Sequence, residues 1–274
     1  MPSPRIESGY VLIDNAKIYY QVAGRGTPLI MIHAGVADSR QWKNEFAHFS
    51  KSYRVLRYDM RGYGKSEPVE GDFSNLKDLL SVLEYLGFNE RLILMGCSMG
   101  GGLAMDFALE YPTKVKALIM IGSGPGGLEL DVEESPKFPL AMKAFEDGDL
   151  DQVAEIETQI WFDGEGRSPE HVDQDMRKLL FQMNRTVLEH EVKDLGKCLP
   201  NTEKPAFSRV SELKVPLLVI VGSHDEPYMF AAADFMMENI KTAQKVIMAD
   251  AAHIPNMEHP LEFQRIVDDF LENI

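Results

Sequence analysis

Hydrophobic positions along this chain follow two alternating rhythms. Residues 29–32, 55–58, 92–95 and 118–121 are short continuous apolar runs, the pattern of strands buried on both faces. Between them, 41–49, 76–86 and 100–111 place apolar residues three and four apart, the spacing of an amphipathic helix. Strand, helix and strand in repetition predict a parallel sheet with right-handed crossovers. Ahead of this series, 10–13 and 17–23 flank Asp14-Asn15-Ala16 and predict an antiparallel hairpin.

The alternation breaks after Gly122. Residues 123–212 hold no strand-like run but several amphipathic stretches, at 140–145, 153–162 and 172–188, and so predict a helical insertion. The earlier pattern resumes with a strand at 216–221, a helix at 228–240, a strand at 245–248 and a final helix at 260–271. The expectation is an α/β fold with an eight-stranded, mostly parallel sheet flanked by helices. Its core domain spans 1–122 and 213–274, and a helical cap spans 123–212. No internal repeat of 20 to 50 residues is present, which excludes solenoids.

Composition narrows the classes of function. With 274 residues and 45% hydrophobic side chains the chain suits one large core. Its 43 acidic against 28 basic residues give a net charge of -15, which repels nucleic acid and acidic lipid headgroups. The expected partner is a small-molecule substrate, with no nucleic acid and no membrane, for a monomer or homodimer. The start, Met1-Pro2-Ser3-Pro4-Arg5-Ile6-Glu7-Ser8, lacks the basic and apolar stretches of a signal peptide, so a cytoplasmic protein is expected. Cys97 and Cys198 make neither a zinc ligand set nor a disulfide framework, and Cys97 reads as a small buried filler.

The chemistry concentrates at Gly96-Cys97-Ser98-Met99-Gly100-Gly101, where the strand at 92–95 meets the helix at 100–111. A sharp strand-to-helix turn there exposes a serine hydroxyl, and glycines suit it because neighbouring backbone leaves no room for a β-carbon. The helix N-terminus adds positive potential where an oxyanion would form. Three further strand ends carry His33-Ala34-Gly35, Asp59-Met60-Arg61-Gly62-Tyr63-Gly64-Lys65-Ser66 and Gly222-Ser223-His224-Asp225, and Ala252-His253-Ile254-Pro255 follows the last strand. In order and placement these motifs resemble the α/β-hydrolase family, in its branch with a helical cap, over essentially the whole chain.

The resemblance implies Ser98 as nucleophile, Asp225 as acid and His253 as base, in the family's chain order. The chemistry asks for these types: a serine hydroxyl is a poor nucleophile until a base removes its proton, imidazole does so near neutral pH, and a carboxylate fixes the imidazole tautomer. His259, before Pro260, reads as the opening of the last helix, and His224 as structural. Asp250, three residues before His253, is an alternative orienting acid, while Asp59 reads as a brace of its own loop and His33 as another brace. The oxyanion hole is assigned to the backbone N–H groups of Met99 and Gly35, with Val36 as the alternative second donor, because Ala34 stands where the family usually has glycine.

The insertion is rich in large apolar residues, and Phe138, Met142 and Trp161 from it, with Val36 and Ile254 from the core, are expected to line the substrate pocket. No metal-ligand motif or phosphate loop is found in the sequence, so neither metal nor cofactor is expected. The leading functional expectation is hydrolysis of carboxylic esters of small to medium hydrophobic substrates through an acyl-enzyme. The Ser-Met-Gly-Gly elbow also resembles enol-lactonases and hydrolases of carbon–carbon bonds in ring-fission diketones, which use the same three residues. A small-molecule receptor using the capped pocket is the remaining alternative.

Overall fold

Asp14 and Asn15, both at positive φ (47° and 68°), close a tight hairpin between β1 (Glu7–Ile13) and β2 (Ala16–Ala23). The computed structural model describes residues 4–274, so the first three residues of the stretch read for a signal peptide lie outside it. The remaining strands are β3 (Pro28–Ile32), β4 (Arg54–Tyr58), β5 (Asp72–Phe73), β6 (Leu92–Cys97), β7 (Val115–Ile121), β8 (Lys197–Cys198), β9 (Leu217–Gly222) and β10 (Ala243–Met248). Eight of them form one sheet in the order β1-β2-β4-β3-β6-β7-β9-β10, antiparallel at the β1-β2-β4 edge and parallel elsewhere.

Alternation along each central strand divides the core in two. Ile30, Leu94, Leu118 and Val219 point to the face covered by α2 (Asn75–Tyr85), α3 (Met99–Glu110) and α7 (Pro227–Asn239). Leu29, Ile93, Ile119 and Ile220 point to the face covered by α1 (Lys43–Phe49) and α9 (Pro260–Glu272). Strands apolar at every position are the consequence, and this is why they were legible as continuous runs.

Between β7 and β9 lie α4 (Phe138–Glu146), α5 (Leu150–Thr158) and α6 (Gln174–Glu191), which share a small core around Ala144, Val153, Ile156 and Leu188. The segment also holds a strand that the sequence reading did not anticipate: β8 pairs in parallel with β5 and joins the segment's end to the loop after β4. Two residues are too short to show a period. Arg167 anchors the segment to the core, donating to the Asp250 carbonyl at 2.9 Å and to buried Glu258, in the short helix α8 (Pro255–Glu258), at 2.7 Å. Among the described residues no helix is long and apolar enough to cross a membrane.

Candidate active site

The elbow is a strained turn held by its surroundings. Ser98 sits at φ 53° and ψ -119°, a conformation that costs an L residue about 1–3 kcal/mol, between the end of β6 and the first residue of α3. Its N–H donates to the Ile121 carbonyl at 2.8 Å, and its carbonyl accepts from Ser123 Oγ at 2.7 Å and from the Gly101 and Gly102 N–H groups at 2.9 and 3.1 Å. Close packing explains the flanking glycines: a β-carbon at 96 would lie 2.2 Å from the Gly100 carbonyl oxygen, and one at 100 would lie 2.4 Å from that of Ile32. The turn leaves Ser98 partly exposed while Cys97 beside it is fully buried.

Two neighbouring parallel strands bring the predicted acid and base together. Asp225 follows β9 and His253 follows β10, and His253 Nδ1 lies 2.9 Å from Asp225 Oδ1 with both side chains essentially inaccessible. Asp225 Oδ1 also accepts from the Glu226 N–H at 2.8 Å. With Nδ1 donating to the carboxylate, Nε2 is left with the lone pair that a base needs. The Cys97 thiol donates to the His253 carbonyl at 3.6 Å, tying the elbow to the loop of the base, and burial pushes this thiol up to about 12, so it stays protonated. Among the described residues no hydrogen bond joins the Ser98 hydroxyl to His253.

The rival residues lie elsewhere. The Asp250 carboxylate is largely exposed and stands 3.8 Å from His224 Nε2 and from Arg167, not on His253. His224 donates to the Glu165 carbonyl at 2.8 Å, and His259, the residue before α9, donates to the Asp250 carbonyl at 2.8 Å.

Gly35 and Met99, the two predicted oxyanion donors, belong to loops that touch: a β-carbon on Gly35 would lie 3.8 Å from Met99 Cβ. Met99 opens α3, so its N–H is one of the donors that a helix cannot satisfy internally. The loop before Gly35 is braced on both sides. His33 donates from Nδ1 to the Ala34 carbonyl at 2.8 Å and accepts the Met60 N–H at Nε2 at 3.0 Å. Asp59 accepts from the N–H groups of Lys65 and Ser39 at 2.9 and 2.8 Å.

A second brace escaped the sequence reading. The Ala34 N–H donates to Gln41 Oε1 at 2.9 Å, Gln41 Nε2 donates to Asn256 Oδ1 at 3.3 Å, and Asn256 Nδ2 donates to Glu45 Oε2 at 3.1 Å. This buried chain links the loop of Gly35 to residues just after His253. Its members are isolated polar residues in helix-period segments, and no local signal marks them.

The insertion reaches the base directly. Trp161, in a single turn of π-helix (Gln159–Asp163), lies with its ring centroid 4.4 Å from that of His253 and packs against Phe138 at 5.6 Å. Gly164 next to this turn has no room for a β-carbon, which would meet Ala252 Cβ at 2.7 Å. Val36 and Gly35 line a cavity of about 410 Å³ whose other walls include Tyr63, Glu157, Asn184 and Leu188. Tyr63 Oη donates to Met99 Sδ at 3.5 Å, which places this cavity beside the predicted donors.

Of the five expected pocket residues Val36 lines this cavity, Phe138 packs on Trp161 and Trp161 on His253 rather than on its walls, and Met142 and Ile254 need correction. Met142 is 66% exposed, because the inward face of α4 is taken by Ala141 and Ala144. Ile254 is fully buried in the core beneath the sheet, next to the α9 side, and lines no open space. Glu157 and Asn184 were missed, since a polar residue in an amphipathic helix reads as its solvated face. Among the described residues no group of three or more His, Cys, Asp or Glu side chains is placed to hold a metal ion.

Residues 27–260 match the family model described as alpha/beta hydrolase fold. In sequence the chain is 29% identical over 272 residues, 95% of this chain and 93% of the relative, to a 2-hydroxy-6-oxononadienedioate/2-hydroxy-6-oxononatrienedioate hydrolase of Comamonas testosteroni. It is 27% identical over 270 residues, 95% of this chain and 93% of the relative, to a 2-hydroxy-6-oxo-6-phenylhexa-2,4-dienoate hydrolase of Burkholderia cepacia. Among solved structures, a thermophilic esterase from Thermogutta terrifontis superimposes with a TM-score of 0.78 at 23% identity, covering 98% of each chain, a likeness of fold.

Proposed function

Since the chain belongs to the α/β-hydrolase fold family, we propose that it is a serine hydrolase breaking the carbon–carbon bond beside a ketone, with Ser98 as nucleophile, His253 as base and Asp225 as acid. The observation that carries the reading is the buried 2.9 Å contact of Asp225 and His253 at strand ends next to the strained Ser98 turn. No packing requirement explains a paired carboxylate and imidazole beside a serine held at positive φ.

The bond follows from the chemistry of the relatives' substrates. A 2-hydroxy-6-oxo-dienoate has neither ester nor amide, so water can only cleave it between the ketone carbon and its neighbour. Ester cleavage, the first expectation from sequence, thereby becomes the second reading. In the proposed reaction His253 Nε2 takes the Ser98 proton as Oγ adds to the ketone carbon, and the Met99 and Gly35 N–H groups hold the oxyanion. Before attack the 2-hydroxyl proton shifts to the carbon beside the ketone, so that when the oxyanion collapses and the carbon–carbon bond breaks its electron pair is taken up by the 2-carbonyl as a dienolate, and His253 returns the proton to that oxygen. Water activated by His253 then hydrolyses the acyl-enzyme.

Hydrolysis of an ester needs the same groups, and a specific observation keeps it in view: the relatives' substrates are carboxylates, whereas the cavity beside Gly35 is lined by Glu157, Glu191 and Asp194. A matched pair separates the two. 2-Hydroxy-6-oxo-6-phenylhexa-2,4-dienamide and ethyl benzoate both yield benzoate, one by carbon–carbon and one by ester cleavage. The wild type is expected to release benzoate from the dienamide with kcat/KM about tenfold or more above that from ethyl benzoate, and Ser98→Ala from neither. Release from ethyl benzoate alone establishes the ester reading instead, and release surviving in Ser98→Ala removes the serine mechanism.

A further inference from the structure

The cavity beside Gly35 has a charge pattern opposite to that needed by a dienoate. Among the described residues Arg61 is the one Lys or Arg side chain on its walls, and its charge is already matched: Nε and Nη2 each donate to an oxygen of Asp78 at 2.9 Å, in a pair with both side chains buried, while His190 on the same walls donates from Nδ1 to the Gly62 carbonyl at 3.0 Å. On the same walls stand Glu157 from α5 and Asn184 from α6, and Asn184 Nδ2 donates to Glu157 Oε2 at 2.7 Å. That bond fixes the carboxylate's orientation and leaves Oε1 without a donor among the described residues. Burial and the nearby charge of Glu191 push the Glu157 carboxyl above its ordinary range, against the hydrogen bond from Asn184.

We propose that Glu157, oriented by Asn184, determines specificity in this cavity by selecting substrates whose end remote from the scissile bond carries a hydrogen-bond donor, an amide or an ammonium, over those ending in a carboxylate. This rests on the proposed function only in taking the cavity as the binding site of the Ser98 centre, and it holds for either bond cleaved. An ionised carboxylate is acceptor-only. A second carboxylate brought against it in a confined site gains no hydrogen bond and meets a like charge, whereas an amide N–H supplies the missing donor. Glu191 and Asp194, lining the same cavity, add to the repulsion. The inference separates this chain from the relatives named for dienoates and dienedioates: the fold and centre are shared, and the charge of the substrate is not.

Binding tests this without turnover. Dissociation constants of 2-hydroxy-6-oxo-6-phenylhexa-2,4-dienoate and its primary amide are measured by calorimetry at pH 8 on Ser98→Ala and on Ser98→Ala/Glu157→Gln, with melting temperatures checking the fold. On Ser98→Ala the amide is expected to bind about tenfold or more tighter than the acid. Glu157→Gln, which offers an N–H in place of an oxygen, is expected to bring the ratio close to one, mainly by tightening the acid. Equal or tighter binding of the acid to Ser98→Ala overturns the proposal, as does binding of neither ligand or a ratio unchanged by Glu157→Gln. The order on Ser98→Ala decides the matter even if the double variant does not fold. If the amide binds tighter but the wild type releases no benzoate, the carbon–carbon reading fails and the charge selection stands. If benzoate forms and the acid is preferred, the reverse holds.

Discussion

Glu45 is fully buried, and the groups that donate to its carboxylate are amides: Asn256 Nδ2 at 3.1 Å and Gln264 Nε2 at 3.2 Å. Burial dominates these bonds and raises its carboxyl to about 7. A carboxyl whose folded pKa lies above its unfolded value keeps its proton in the folded state after the unfolded chain has lost it. Stability therefore falls as pH rises from about 4.5 to about 7, by up to roughly 3 kcal/mol, and is flat below that window. Glu45→Gln removes the titration. Its melting temperature relative to wild type is expected to rise by about 5 °C or more between pH 4.5 and pH 8, and melting curves that shift in parallel contradict the assignment. Glu45 was illegible from sequence because its burial depends on α9 and α8, more than 200 residues away. The strand-end placement of Ser98, Asp225 and His253 was legible because each stands in a loop directly after a strand, whereas an apolar side chain declares neither whether it faces inward, as at exposed Met142, nor which of two cores it enters, as at Ile254.

Glycines at the start of α3 divide sharply by what surrounds them. A β-carbon at 100 would press on the carbonyl oxygens of Ile32 and His33 at 2.4 and 2.5 Å, while one at 102 would meet only the Gly124 oxygen at 3.8 Å. Gly100→Ala must push α3 away from β3 and with it Met99 from Gly35, so a loss of about 1–3 kcal/mol in stability and of about tenfold or more in kcat/KM is expected. Gly102→Ala gains helix propensity worth up to about 1 kcal/mol and should melt higher with activity retained. The pair is read by thermal melting and steady-state kinetics, and equal tolerance of both alanines contradicts the packing account. Elements were legible where burial is continuous, as in β3, β6, β7 and β9. They were not where too few residues repeat: β5 and β8 have two residues each, and the π-turn carrying Trp161 differs from the α-helix before it only in hydrogen-bond span.

At the scale of the whole molecule, a right-handed parallel sheet gathers the ends of distant strands on one edge, which is where such sheets place ligands. Ser98 follows β6, Asp225 follows β9 and His253 follows β10, and the segment between β7 and β9 contributes Trp161 above the imidazole and Glu157 to the adjoining cavity. The strand-end places of Ser98, Asp225 and His253 could be foreseen from the order of runs and motifs, whereas Glu157 could not. The attachment of the segment could not, since Arg167 meets Glu258, and neither could its internal bracing, where Arg177 meets Asp163 and Glu155, because such pairings leave no periodic trace. The central claim is that Ser98 becomes a nucleophile through His253. Its most direct test is covalent labelling with a fluorophosphonate, with the site located by peptide mass spectrometry and the rate compared between wild type and His253→Ala. The account predicts a single adduct on Ser98, formed at least about a thousandfold more slowly in His253→Ala. An adduct on another residue, or an unchanged rate without the imidazole, contradicts it.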